Sequence, residues 1–264
     1  EVKCTYNERI FLSKGLQIML LKNKCAVVTG SNRGIGKAIL EVLAQNGADL
    51  WACARRESEE FLSFISGLEK KYGVIIKPVY FDISDIESVK KGVREITINK
   101  DPIDILVNNA GSISISLFQM TPISKVKEMF DVNFYPMFQL TQMLVKSMLK
   151  GGGSIINLSS SAAIEGNEGR VSYASSKAAV ITFSQVISRE LGRNNVRVNT
   201  IAPGLTETDM MRGSTPDDVL EKTLDRISLR RTAKPEEIAN VVLFLSSNLS
   251  SYITGQVLRV DGGM

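Results

Sequence analysis

The apolar run Cys25-Ala26-Val27-Val28 ends in the turn Thr29-Gly30-Ser31-Asn32-Arg33-Gly34-Ile35-Gly36, and beyond it Ile35, Ala38, Ile39, Val42 and Leu43 recur at helical spacing. A short apolar run, a glycine turn and a 3.6-residue stripe predict strand, loop and helix in that order. The alternation repeats. Leu50 to Ala54 reads as a second strand and Glu57 to Tyr72 as a helix closed by Gly73, with Val74 to Phe81 as a third strand. Ser84-Asp85-Ile86-Glu87 has capping-box spacing for a helix bearing Val89, Val93 and Ile96. Ile103 to Val107 forms a fourth strand, and one long helix is expected from Ile123 to Leu149. Gly151-Gly152-Gly153 leads into a fifth strand, a helix carries Tyr173, and Val196 to Ile201 is the sixth strand. A polar insertion from Leu205 to Arg226, a helix from Pro235 and a last strand, Gln256 to Val260, complete the chain. Repeated βα units imply a single α/β domain, doubly wound in the Rossmann manner, with a mostly parallel seven-stranded sheet flanked by helices on both faces. Its expected span is residues 23–264. Residues 1–22 show no clear periodicity and read as a tail left by an upstream segment, their apolar stretch too short for a secretory signal core.

The chemistry-bearing residues sit at the ends of these elements. Tyr173 and Lys177, four apart, share one helix face. A cation near a phenol favours the phenolate and pulls the tyrosine toward working pH, which makes it a proton donor. Ser160 stands where Ile155-Ile156-Asn157-Leu158 gives out, at the strand end where α/β sheets place their chemistry. The chain has no histidine, so His triads and His metal ligands are excluded, and no metal is expected. Three cysteines without a CxxC pair suit a reducing, cytoplasmic compartment and inert thiols. A net charge of +4 is scattered among 28 acidic residues, which argues against nucleic acid. No stretch is long enough for a membrane span.

A glycine turn between strand and helix lets the backbone of Gly30, Ser31, Asn32, Arg33, Gly34, Ile35 and Gly36 meet a diphosphate at a helix N-terminus. An acidic residue closing the second strand would accept a ribose 2′-hydroxyl and repel a 2′-phosphate. The sequence there is Ala54-Arg55-Arg56. With Arg33 in the turn, two guanidinium groups can face a 2′-phosphate, which points to NADP(H).

From Lys24 to the C-terminus these motifs resemble the short-chain dehydrogenase/reductase family: the Thr29 to Gly36 turn, Asn108-Asn109-Ala110-Gly111, and Tyr173 to Lys177. The resemblance implies a catalytic tetrad of Asn133, Ser160, Tyr173 and Lys177. In it Tyr173 protonates a forming alkoxide, Ser160 bonds the same oxygen, and Lys177 holds the nicotinamide ribose and lowers the Tyr173 pKa. Asn133 anchors a water that links Lys177 to solvent. It further implies cofactor contacts from Asp82 and Ile83 to adenine, from Asn109, Ala110 and Gly111, from Pro203 and Gly204 beside the nicotinamide, and from Thr208 to the carboxamide. The helix start Pro235-Glu236-Glu237-Ile238-Ala239 and the ending Tyr252 to Gly263 are similar to 3-oxoacyl-(acyl-carrier-protein) reductases, implying an acyl-carrier thioester substrate and the carrier protein as partner. Sugar, polyol and small-ketone reductases share those features, and a nucleotide-binding protein without the chemistry is a further alternative. One departure bears on the carrier: two arginines that such enzymes present to it fall here at Gly151 and beside Arg193, at Asn194. Lys146, Lys150 and Arg193 are the cations that could stand in. The resemblance also implies a homotetramer, paired through helices carrying Met129, Phe134, Met137, Phe138, Phe183 and Val186.

Overall fold

The computed structural model describes residues 19–214 and 217–264. The elements follow in chain order: β1 Cys25–Thr29, α1 Gly34–Gln45, β2 Asp49–Ala54, α2 Glu59–Tyr72, β3 Ile76–Tyr80, α3 Ile86–Thr97 and β4 Ile105–Asn108. After these come α4 Ile123–Asn133, α5 Tyr135–Leu144, β5 Gly153–Leu158, α6 Ala162–Glu165 and α7 Val171–Leu191. The chain ends with β6 Val196–Pro203, α8 Asp209–Arg212, α9 Asp217–Leu224, α10 Pro235–Ser246 and β7 Val257–Val260. The seven strands form one sheet in the order β3-β2-β1-β4-β5-β6-β7, and every pairing is parallel.

Because side chains alternate along a strand, β1 feeds two cores. Ala26 and Val28 face α1, α2 and α10, where they pack with Ile39, Leu43, Phe61 and Val242. Val27 faces the other layer, with Val89 and Val93 of α3 and Leu140 and Leu144 of α5. Both faces being covered, the strands read as continuous apolar runs. The strand order reverses between β1 and β4, so the crevice at their C-terminal ends is where a ligand fits in such a sheet.

Several boundaries differ from the sequence reading. The expected long helix is two. Phe134 leaves helical geometry at φ −121° and ψ −60°, and Pro136, which has no N–H to offer the carbonyl one turn back, opens α5. α3 is capped by Asp85, whose carboxylate accepts from Glu87 N at 3.0 Å, rather than by Ser84. Ser84 Oγ instead donates to Asp82 at 2.6 Å. β3 starts at Ile76, since Ile75 is exposed. Leu21 is 1% exposed within the core, and its N–H donates to Asn46 O, so packed chain begins before residue 23. Residues 1–18 of the expected tail lie outside the described residues. Met129 and Met137, expected at a subunit interface, are buried within the chain. Cys53 is buried and burial pushes its thiol up, while burial with Asp104 nearby raises Cys25 to about 11, so both thiols are inert.

A buried polar chain ties the second layer to the sheet. Asn108 Nδ2 donates to Thr141 Oγ1 at 2.9 Å and to Asn157 Oδ1 at 2.7 Å. Asn157 Nδ2 donates to Ser184 Oγ at 2.8 Å, and Ser184 Oγ to Val180 O at 2.7 Å. These bonds join α5, β4, β5 and α7, the elements that present the site. Asn157→Ala strips two of those partners at a fully buried position, and urea denaturation is expected to show a loss of roughly 2–4 kcal/mol with an unchanged m-value. A loss below about 0.5 kcal/mol would mean the network is not a structural tie.

Candidate active site

A cleft of about 770 Å³ opens at the C-terminal ends of the strands. One end is lined by the glycine turn with Ala54, Arg55, Asp82 and Ile83, its middle by Asn109, Ala110 and Gly111, and the other end by Ser160, Tyr173, Lys177, Pro203, Gly204 and Thr208. Chain reversal at the switch point has brought nearly all the sequence-picked residues to one crevice. Ser31 and Asn133 are exceptions, since neither lines the cleft. Ser31 is fully buried, and its N–H and Oγ both donate to Cys53 O, at 3.0 and 2.9 Å. It pins the turn to β2 rather than facing a ligand.

Close backbone approach shapes the turn. A Cβ on Gly36 would lie 2.1 Å from Gly30 O and 2.6 Å from Asn109 Nδ2, so only glycine lets α1 start this near the β1 end. Asn109 Nδ2 donates to Thr29 O at 2.9 Å and Gly30 O at 3.1 Å, while the Asn109 and Ala110 N–H groups donate to Thr29 Oγ1. The β4 end thus braces the β1 turn and leaves the backbone of its glycines open to the cleft at an α-helix N-terminus. That arrangement fits a dinucleotide diphosphate.

At the end lined by Ala54 and Ile83, Arg55 Nε donates to Asp82 Oδ2 at 2.8 Å. The Ser84 hydroxyl and N–H, followed by Arg55, hold the Asp82 carboxyl below its ordinary range. Asp82 is therefore an anchor for Arg55, a pairing across β2 and β3 absent from the sequence reading. Arg33 and Arg55 are both exposed on the cleft wall, and β2 ends in Ala54 with no carboxylate. The residues fit a 2′-phosphorylated dinucleotide.

At the other end, α7 carries Tyr173 and Lys177 into the protein, where they are 9% and 6% exposed. Lys177 Nζ donates to Leu158 O, the last residue of β5, at 2.8 Å. Desolvation lowers the Lys177 pKa to about 8. Burial raises that of Tyr173, and the influences in the other direction come from Ser160 and then Arg170. In the free protein the Lys177 ammonium is directed at the Leu158 carbonyl, and the described groups that favour the Tyr173 phenolate are Ser160 and then Arg170. With its pKa raised, Tyr173 holds its proton at neutral pH. Asn133 sits at the end of α4, where the helix breaks, with Oδ1 accepting from Ser112 N at 2.8 Å. Its Nδ2 donates to Ser112 O at 3.0 Å and Ser176 Oγ at 3.0 Å. A Cβ on Gly111 would come 2.9 Å from Asn133 Oδ1 and 3.3 Å from Lys177 Nζ, so the β4 loop closes tightly over both. Thr208 caps α8 by accepting from Met211 N at 3.2 Å.

Sequence reasoning missed Ser112 and Ser176, which hold Asn133, and Ser159, whose Oγ donates to Lys177 O at 2.8 Å. It also missed Arg170, for which the available signal was a basic residue one turn before Tyr173.

A family model described as Enoyl-(Acyl carrier protein) reductase matches residues 29–264. A protein of Aquifex aeolicus named 3-oxoacyl-(acyl-carrier-protein) reductase FabG is 41% identical over 92% of this chain and 98% of its own. Among solved structures, a 7α-hydroxysteroid dehydrogenase complexed with NADH and 7-oxo glycochenodeoxycholic acid superposes with TM-score 0.87 at 33% identity, covering 93% of this chain and 96% of that one. A gluconate 5-dehydrogenase from Beutenbergia cavernae, described as putative and NAD(P)-dependent and holding NADP, superposes at 0.86 with 30% identity over 94% and 98%. With this cleft and these matches across nearly its whole described length, the chain belongs to the short-chain dehydrogenase/reductase family and is an oxidoreductase.

Proposed function

We propose that the chain is an NADP(H)-dependent ketone reductase that turns 3-oxoacyl thioesters into 3-hydroxyacyl thioesters, in the manner of 3-oxoacyl-(acyl-carrier-protein) reductases. The observation that carries this reading is the convergence of Ser160, Tyr173 and Lys177 at one end of a cleft whose other end carries Arg33 and Arg55. The bound cofactor would supply the hydride. The glycine turn would hold its diphosphate, Arg33 and Arg55 its 2′-phosphate, Ile83 and Asp82 the adenine side, and Pro203, Gly204 and Thr208 the nicotinamide side. Tyr173, protonated at neutral pH because burial raises it, gives its proton to the ketone oxygen while Ser160 donates to the same atom. Two donors aimed at one oxygen favour a ketone over the enoyl group in the family model's description. Lys177 would hold the cofactor ribose and return a proton to Tyr173. With both amide hydrogens of Asn133 committed to Ser112 and Ser176, the water relaying protons to Lys177 rests on the Asn133 carbonyl.

A second reading, reduction of a sugar, polyol or other small carbonyl compound, is favoured by the carrier-facing surface. Gly151 offers no charge, and Lys150 and Arg193 lie at the N-terminal edge of β5 and β6, the far end of the sheet from Ser160. Carrier protein bound there would serve the cleft of a neighbouring subunit. A ridge of Phe130, Phe134, Tyr135, Phe138 and Phe183, with Tyr135 and Phe138 more than 40% exposed, supports pairing of two copies across α5 and α7; by its likeness to the acyl-carrier-protein reductases we read the chain as a cytoplasmic homotetramer.

Tyr173→Phe removes the proton donor and keeps the ring, so kcat for a 3-oxoacyl thioester is expected to fall at least ~100-fold while NADPH affinity stays within about threefold. Retained turnover would remove Tyr173 from the chemistry. Arg55→Ala is expected to weaken NADPH binding about tenfold, because a charge-assisted bond is lost and Asp82 is left facing the phosphate, with NADH binding within about twofold of wild type. Equal effects on both cofactors, read by fluorescence titration, would make Arg55 a surface residue. Parallel assays with an acyl-carrier thioester, a free 3-oxoester and sugars separate the two substrate readings.

A further inference from the structure

Arg170 stands at the N-cap of α7, one turn before Tyr173, on the wall of the same cleft. It is partly withdrawn from solvent. Its hydrogen bond among the described residues is a long one, 3.5 Å from Nη2 to Ser214 O, and no described carboxylate forms an ion pair with it. The other cations of this end differ. Arg226 pairs with Glu165 at 3.8 Å, and Lys222 is exposed. A cation at a helix N-terminus is opposed by the helix dipole, and partial burial of a guanidinium with no ion pair among the described residues is unfavourable. No ion pair among the described residues accounts for a guanidinium here. It does have the fork of donors that oxygen acceptors need, next to the phenol that meets the ketone.

We propose that Arg170 is a specificity-determining residue that binds the C1 acyl oxygen of a 3-oxo substrate while the C3 ketone oxygen rests between Tyr173 and Ser160. The inference rests on the 3-oxoacyl reading above and names what in the site enforces it. The two oxygens of a 3-oxoacyl group lie a few ångströms apart on one short chain, and residues three apart on a helix are offset along the axis by about 4.5 Å, so one α7 face addresses both. A carboxylate at C1 would take two parallel bonds from the guanidinium and a thioester carbonyl one. A simple ketone offers nothing to Arg170 and leaves it unpaired. The contact therefore both orients the C3 carbonyl and selects against ketones without a C1 oxygen.

The test uses the NADPH-loaded protein with acetoacetate, an acetoacetyl thioester of N-acetylcysteamine, and 2-pentanone, for wild type, Arg170→Met and Arg170→Lys. Arg170→Met is expected to lower kcat/KM about 10- to 100-fold for both acyl substrates and less than about threefold for 2-pentanone, with Arg170→Lys recovering part of the loss. A larger loss for acetoacetate assigns a free 3-oxo acid and equal losses a thioester; both uphold the contact. Calorimetry supplies a reading without turnover: 3-hydroxybutanoate binding to the NADPH-loaded protein should weaken in Arg170→Met by a similar factor while NADPH affinity is unchanged. Equal losses on all three substrates, or none, would overturn the Arg170 contact and leave the reductase reading standing. Wild-type protein that reduces 2-pentanone but neither acyl substrate would overturn the 3-oxoacyl reading itself.

Discussion

The site is organised by one buried ammonium. Lys177 is carried by α7 to the end of β5, where the Leu158 carbonyl accepts from it at 2.8 Å. Taking an ammonium out of water is costly unless it is bonded or loses its proton, and its pKa of about 8 shows the balance reached here. The surrounding structure serves that balance. Ser159 fixes the Lys177 backbone, the Gly111 loop closes over the Lys177 ammonium and Asn133, and Ser112 and Ser176 hold Asn133. A group with one neutral partner and a pKa near working pH can change partner and protonation within a catalytic cycle, which a fully paired lysine could not do at comparable cost.

The two ends of the cleft solve opposite electrostatic problems. At the Arg55 end the cations are exposed, and Arg55 is steadied by Asp82, so a phosphate placed there, as the proposed NADP(H) reading requires, would exchange water and one carboxylate for a stronger acceptor. At the reacting end the groups are buried and few, and each donor is worth more because water is excluded. Between them the Asn109 brace needs no charge. It works by holding the β1 turn and the β4 loop at a fixed separation, so a long ligand can span both ends without either moving independently.

How far this was legible in the sequence follows from the range of each interaction. The Tyr173–Lys177 pair and the glycine turn are local, set by helix periodicity and by the absence of a Cβ, and they were read from residue spacing alone. The sheet followed from repeated βα units. What escaped was of two kinds. Contacts across strands, such as Arg55 with Asp82 or Leu21 in the core, depend on register and on which chain end folds back, neither of which spacing reveals. The partner chosen by Lys177 is a backbone carbonyl, which leaves no trace in residue identity. The break before α5 is different: Pro136 was visible, and helical periodicity on both sides of it masked its effect.

If Lys177 holds the cofactor as an ammonium, NADPH affinity measured from pH 7 to about 9.5 follows its titration. If the bound state keeps the ammonium that the free protein loses near pH 8, affinity is level below that value and falls above it, approaching about tenfold per pH unit for one proton. In Lys177→Met the same titration is weaker and flat. A wild-type profile that stays level through pH 9.5, or a slope that survives in Lys177→Met, would mean that Lys177 does not hold the cofactor as an ammonium.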